Sequence, residues 1–308
     1  MLAKMSIDQA LIKAKSHVKK NEMAEAKKIY EAVLLAFPKN TRAQKGLDVL
    51  NQYKDNKIIS KKQPSMEKIN TLLDHYQNSR YEQAKFLAEL FTRDFPEYSF
   101  GWQVLGAVLK ETGYVEEAIE AFKKNILINP LDAIAHSNLG ISLKDLHEFE
   151  EAEKILRDAI SLNYNYAPAH NNLASVLREL GKHKEAENSL RRAISLKPDF
   201  VEAYTNLGKI LNEMSRPDEA EEYFRKGITL KPTNVEIYNY LGITLKELRK
   251  LEDSENIFKK AISLNPNYAQ SYHNLGNTQQ EMGKLDEAAT NYQFSIKLKY
   301  ENAESHNN

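Results

Sequence analysis

The sequence predicts an all-α fold, a solenoid of about eight antiparallel helix pairs stacked side by side. Three observations carry this expectation. A set of residue types recurs every 34 positions, each period contains two stripes of apolar residues at helical spacing, and small residues sit at fixed places between the stripes.

The period shows first in the prolines. Pro130, Pro198, Pro232 and Pro266 are separated by 68, 34 and 34 residues. With unit position 1 placed at Ser99, Ala133, Ala167, Val201, Val235 and Ala269, six units cover 99–302 without an insertion. Position 7 is then always Leu: Leu105, Leu139, Leu173, Leu207, Leu241 and Leu275. Position 8 is Gly106, Gly140, Ala174, Gly208, Gly242 and Gly276, and position 20 is Ala118, Ala152, Ala186, Ala220, Ser254 and Ala288. Positions 4, 7, 8 and 11 lie on one face of a first helix. Positions 20, 24, 27 and 28 lie on one face of a second, as in Ala186, Leu190, Ala193 and Ile194. Small residues at 8 and 20 let two helix backbones approach closely, where a larger side chain would overpack the contact. Proline at position 32 stops the second helix and pushes its predecessor out of α geometry. Tyr164 and Tyr300 take that place in two units.

The remaining elements follow in chain order. Residues 1–20 carry lysines spread among apolar positions and no compact apolar centre, so they read as the first helix and not as a secretion signal. Residues 7–40 hold a divergent unit, with Ala10, Ala14, Ala26, Tyr30 and Pro38 in register. A helix over 41–53, with Ala43, Gly46, Leu47 and Leu50 on one side, is expected to cover that unit, closing an N-terminal division at 1–56. Residues 57–64, Lys-rich and ending in Gln63-Pro64, read as a linker and hinge. Residues 65–98 form a second divergent unit, with Ala84, Ala88, Phe91 and Pro96 in register. After the six regular units, residues 303–308 align with Ala167 to Asn172 and are expected to start a further, truncated unit. The last second helix, with Tyr292 and Ile296, is then open to end-to-end self-association.

Composition narrows the function. The chain has 308 residues, with 43 basic and 43 acidic side chains and a formal net charge of zero. Nucleic-acid and anionic-membrane surfaces run on excess Lys and Arg, so neither partner is expected. No apolar run reaches membrane-spanning length. The absence of cysteine removes disulfides, thiolate nucleophiles and Cys-based zinc sites, and fits a reducing, cytoplasmic setting. His136 and His170 both fall at position 4, one helix pair apart and too far for a shared metal; position 4 is otherwise an aromatic packing site. Neither a phosphate-cradling Gly-rich loop nor a nucleophile elbow occurs. No enzyme activity and no cofactor are expected from this chain.

Binding is expected on the first helices, where positions 2, 6, 9 and 13 share a face off the packing stripe. Position 6 reads Val104, Asn138, Asn172, Asn206, Tyr240 and Asn274. An Asn amide both donates and accepts, so a row of them suits the backbone of an extended peptide. Position 13 is acidic throughout: Glu111, Asp145, Glu179, Glu213, Glu247 and Glu281. A carboxylate near a helix C-terminus opposes the helix dipole by ~0.3–1 kcal/mol. Two readings stand for it: an acidic stripe for basic partner segments, or pairing with Lys110, Lys144, Arg178, Lys246 and neighbouring units. Position 2 contains no basic residue.

The pattern Trp102, Leu105, Gly106, Ala118, Phe122, Pro130, repeated as Tyr204, Leu207, Gly208, Ala220, Phe224, Pro232, resembles the tetratricopeptide repeat. That resemblance implies a right-handed solenoid whose first helices line a concave, protein- or peptide-binding groove. The segments around Asn138 and Asn172 are similar to the asparagine ladder of O-linked N-acetylglucosamine transferases; the other reading is that Asn at this position is common in tetratricopeptide repeats whatever they bind. The whole arrangement resembles the repeat regions of bacterial modular proteins that precede a glycosyltransferase, sulfotransferase or iron-dependent oxygenase. A substrate-recruiting arm of such an enzyme is therefore the alternative to a free-standing binding scaffold. The Lys, Arg and Asn clamp of repeats that hold chaperone carboxylate tails is not matched at position 2.

Overall fold

The computed structural model describes residues 6–19, 22–55 and 63–307. Among them are seventeen α-helices and no strand. The first helices of the regular units are α6 (Ser99–Glu111), α8 (Ala133–Asp145), α10 (Ala167–Glu179), α12 (Val201–Glu213), α14 (Val235–Glu247) and α16 (Ala269–Glu281). Each occupies unit positions 1–13. The second helices are α7 (Val115–Ile128), α9 (Phe149–Leu162), α11 (His183–Leu196), α13 (Pro217–Leu230) and α15 (Leu251–Leu264), each at positions 17–30.

The packing follows from the small residues. A Cβ added to Gly208 would lie 2.6 Å from the Phe224 ring, and one on Gly242 would lie 2.5 Å from Phe258. Phe122, Phe224 and Phe258 fill the resulting clefts and are almost fully buried. Leu156 fills the same cleft beside Gly140, 2.5 Å from where a Cβ would stand, and Ala174 is the one residue at position 8 that is not Gly. Each first helix ends the same way. Unit position 15 takes a left-handed backbone in every unit, with Gly at 113, 181 and 283 and with His147, Ser215 and Arg249 elsewhere. The next N–H then reaches back to position 11, as Tyr114 N to Leu109 O at 2.9 Å, which satisfies carbonyls the helix leaves open.

Neighbouring units are tied by groups that recur at the same period. The polar tip of position 4 reaches the carbonyl of the preceding position 32. Trp102 Nε1 donates to Pro96 O (2.8 Å), Tyr204 Oη to Pro198 O (3.1 Å) and Tyr238 Oη to Pro232 O (3.2 Å), and His170 Nε2 meets Tyr164 O (2.9 Å). His136 turns instead to Asp132 O at 2.8 Å. The second helices carry a ladder of ion pairs. Glu153, Glu187, Glu221 and Glu255 at position 21 each pair with the base four residues on and with position 16 of the next unit: Lys182, Arg216, Lys250 and Lys284. Burial raises the pKa of these carboxyls, but the hydrogen bonds from their bases outweigh it and all four are lowered, Glu255 to about 2.

Upstream, α1 (Ile7–Lys19), α2 (Met23–Ala36) and α3 (Thr41–Asp55) share a small core of Ala10, Leu11, Ala14, Ala26, Tyr30, Val33, Ala43 and Leu50. Gly46 lets α3 lie against the Tyr30 ring, 2.5 Å from where a Cβ would stand. The helices α4 (Met66–Gln77) and α5 (Tyr81–Asp94) join the long core of the regular array. Of the linker expected at 57–64, residues 57–62 lie outside the described residues.

At the other end, where a further unit is expected to start, α17 runs unbroken over Leu285–Asn307 and residue 308 lies outside the described residues. The turn at position 32 needs a residue that stops a helix, and Tyr300 keeps its N–H and can continue one. Among the described residues no helix is long and apolar enough to cross a membrane.

Candidate functional site

Successive first helices touch one another along the array, α6 to α8, α8 to α10, and on to α16, whereas the second helices make no comparable contact. The stack therefore closes on the side of the first helices and opens on the other. Positions 2, 6, 9 and 13 belong to these first helices.

At position 6 the structure separates the four asparagines. Asn172 Nδ2 donates to Ser137 Oγ (3.1 Å) and Asn206 Nδ2 to Asn171 Oδ1 (2.9 Å), each a position-5 side chain of the preceding unit. These two amides join repeats and keep one N–H and a carbonyl oxygen outward. Asn138 is half-buried, and no hydrogen bond involves its side chain among the described residues. Asn274 is 7% exposed; its Oδ1 accepts from Gln270 Nε2 (3.1 Å), and its Nδ2 is buried without a partner. An unmet buried donor costs about 1–3 kcal/mol. Val104 at position 6 is buried, and Tyr240 stacks on Phe224 with ring centroids 5.8 Å apart.

The position-13 carboxylates divide in the same manner. Asp145 lies 3.7 Å from Lys110, Glu213 2.6 Å from Arg178 and Glu281 3.0 Å from Lys246, each base belonging to the preceding unit. Glu179 meets its neighbour Arg178 at 3.3 Å. Glu111 and Glu247 make no ion pair among the described residues. Inter-unit pairing thus explains half of the acidic row, and each exposed pair contributes ~0.2–1 kcal/mol. A further device escaped the sequence reading. Lys209, at position 9, holds Glu236 at 2.8 Å and lies 4.2 Å from the centre of the Tyr240 ring. Burial lowers its pKa, but the bonds to Glu236 and Tyr240 outweigh that and raise it.

Among the described residues no three His, Asp or Glu side chains are placed to hold a metal ion. His170 is buried, and that burial holds its pKa below the ordinary histidine value. A cavity of about 490 Å³ lies between Leu11, Ile12 and Val49 on one side and Pro130, Leu131, His136 and Leu162 on the other.

A stacked helix-pair array with an open inner face defines an α-solenoid, a class built for protein interaction. Models of the tetratricopeptide repeat match residues 101–130, 131–199, 201–234, 235–268 and 257–290. The chain belongs to the tetratricopeptide repeat family. Solved structures agree on the fold. The Cut9–Hcn1 hetero-tetramer of APC/C matches over 90% of this chain and 56% of its own, at 14% identity and TM-score 0.65. Pseudomonas aeruginosa pilF matches over 67% of this chain and 97% of its own, at 23% identity and TM-score 0.57. A thermophilic member of the family from Thermus thermophilus, TTC0263, matches over 58% and 97%, at 24% identity and TM-score 0.51. No curated protein matches the chain significantly.

Proposed function

We propose that the chain is a scaffold that holds an extended peptide segment of a partner protein along its inner face. The observation that carries the reading is Asn274. A buried amide N–H at a face-lining position, with no partner, is an incomplete hydrogen bond that a peptide carbonyl completes. Asn138, unengaged at the same unit position, and the outward halves of Asn172 and Asn206 extend the row. Side-chain amides that grip a backbone select for extended shape more than for sequence. Six first helices at ~8–10 Å spacing span about 40–50 Å. At ~3.3–3.6 Å per extended residue this accommodates about 12–15 residues.

The test is retention of peptides from an immobilised random 14-residue library. The native chain is expected to enrich a set of peptides, and Asn138→Ala with Asn274→Ala is expected to lose them while helicity stays unchanged. Equal enrichment by the variant removes the asparagine row from the account.

A further inference from the structure

The inner face changes character halfway along. At position 2 the residues are Phe100, Ile134 and Pro168 in the first three regular units, then Glu202, Glu236 and Gln270. Ile134 is 43% exposed and Phe100 is half-buried on the edge of an aromatic group with Phe91 and Tyr98. Ile141 at position 9 continues this apolar wall, half-buried. In the second half Glu202 and Glu247 are exposed and make no ion pair among the described residues, against Glu111 alone in the first. Lys209, the one base on these rows in the regular units, is already held by Glu236 and Tyr240.

Glutamate at the start of a helix is favoured by the helix dipole, so Glu202 and Glu236 need no ligand by themselves. Two further facts do point to one. The unpartnered N–H of Asn274 lies in the acidic half, beside Gln270. At the same unit position in the other half Ile134 is 43% exposed and Phe100 and Pro168 are half-buried, and the dipole gives these apolar side chains no support.

Resting on the peptide reading above, we infer that the bound segment has two halves, one apolar and one rich in Lys and Arg, lying respectively on the Phe100–Ile134 wall and on the Glu202–Glu247 wall. The apolar half leaves water against Ile134, Phe100 and Ile141. The basic half meets carboxylates that lack partners, and its backbone supplies the acceptor for Asn274. Each half fits only one end of the face, so the chain direction of the segment is set as well. Charge complementarity without partner exchange is what lets the acidic half select, because its carboxylates lose no existing pair on binding.

The experiment is fluorescence anisotropy with three labelled synthetic 14-residue peptides of identical composition: apolar then basic, basic then apolar, and the same residues alternating. One of the two segmented peptides is expected to bind at least tenfold tighter than both others. Glu202→Lys with Glu247→Lys is expected to weaken it at least tenfold, and Ile134→Glu at least fivefold, with little effect on the alternating peptide. Both sites are exposed, and circular dichroism confirms folding. Alternating and segmented peptides that bind within twofold of each other overturn the inference while leaving a peptide-binding face intact. Failure to enrich any peptide from the random library is the separate result that removes the face itself.

Discussion

One added methyl group tests the packing rule on which the solenoid rests. A Cβ at Gly208 would stand 2.6 Å from two carbons of the Phe224 ring, about 1 Å inside ordinary carbon–carbon contact. Phe224 is fully buried, so the ring cannot swing into solvent. Overpacking of this kind costs ~1–3 kcal/mol. Replacing a helical Gly by Ala returns about 1 kcal/mol of backbone entropy. Gly208→Ala is therefore expected to destabilise α12 and α13 locally by about 1 kcal/mol. A Leu opposite leaves no more room, since a Cβ on Gly140 would stand 2.5 Å from Leu156. In a Phe224→Ala background, which removes the ring, the same Gly208→Ala change is expected to be neutral or stabilising, a coupling of about 1–2 kcal/mol in a double-mutant cycle. Repeat arrays open unit by unit, so a single melting temperature is the wrong readout. Amide hydrogen exchange in α12 and α13 measures the local opening free energy. Additive effects of the two substitutions would refute the steric reasoning.

Further outcomes follow from the inter-unit contacts. Glu255→Gln leaves Lys259 and Lys284 without their carboxylate and is expected to loosen α15–α16 by about 1–3 kcal/mol, read by exchange. The four ladder carboxyls have pKa values below their unfolded values, so their stabilisation is complete above the unfolded value near 4.5 and fades as pH falls below it. Glu255 releases its share only towards pH 2. Urea midpoints at pH 7 and pH 3.5 are expected to differ accordingly, and equal midpoints would deny the ladder a role. Asn172→Ala and Asn206→Ala are each expected to cost about 1 kcal/mol of local stability, whereas Asn138→Ala costs none. Ser215 holds a left-handed backbone at φ 58, so Ser215→Gly is expected to stabilise the α12–α13 turn by about 1 kcal/mol.

Much of this fold can be read from one sequence because every unit is a local helix pair. Leu at position 7, small residues at 8 and 20 and a stop at 32 determine helices whose bounds recur at the same unit positions. Where the stop is missing, at Tyr300, α17 continues. The site is less legible. Whether Asn172 faces a ligand or the preceding unit depends on how consecutive pairs are rotated, which no spacing within a unit reports. Its partner Ser137 lies 35 residues away. The Glu153, Glu187, Glu221 and Glu255 ladder did leave a signal, since its acid and both bases recur at the 34-residue period. It was hidden among charges that also suit an ordinary solvated helix face. The bond from position 4 to the carbonyl of position 32 explains why Trp, Tyr and His interchange there: each offers an apolar ring with a polar tip.

Site-specific photo-crosslinking tests the central claim that the first helices form the binding face. A photoreactive phenylalanine analogue placed at Ile141, Ser175 or Ile243 lies on the inner rows, and one at Lys154, Asn188 or Glu222 lies exposed on the second helices. With a library-selected peptide as the probe, the account predicts crosslinks from the first set and none from the second. Crosslinks from Lys154, Asn188 or Glu222 with silence at Ile141, Ser175 and Ile243 would contradict it.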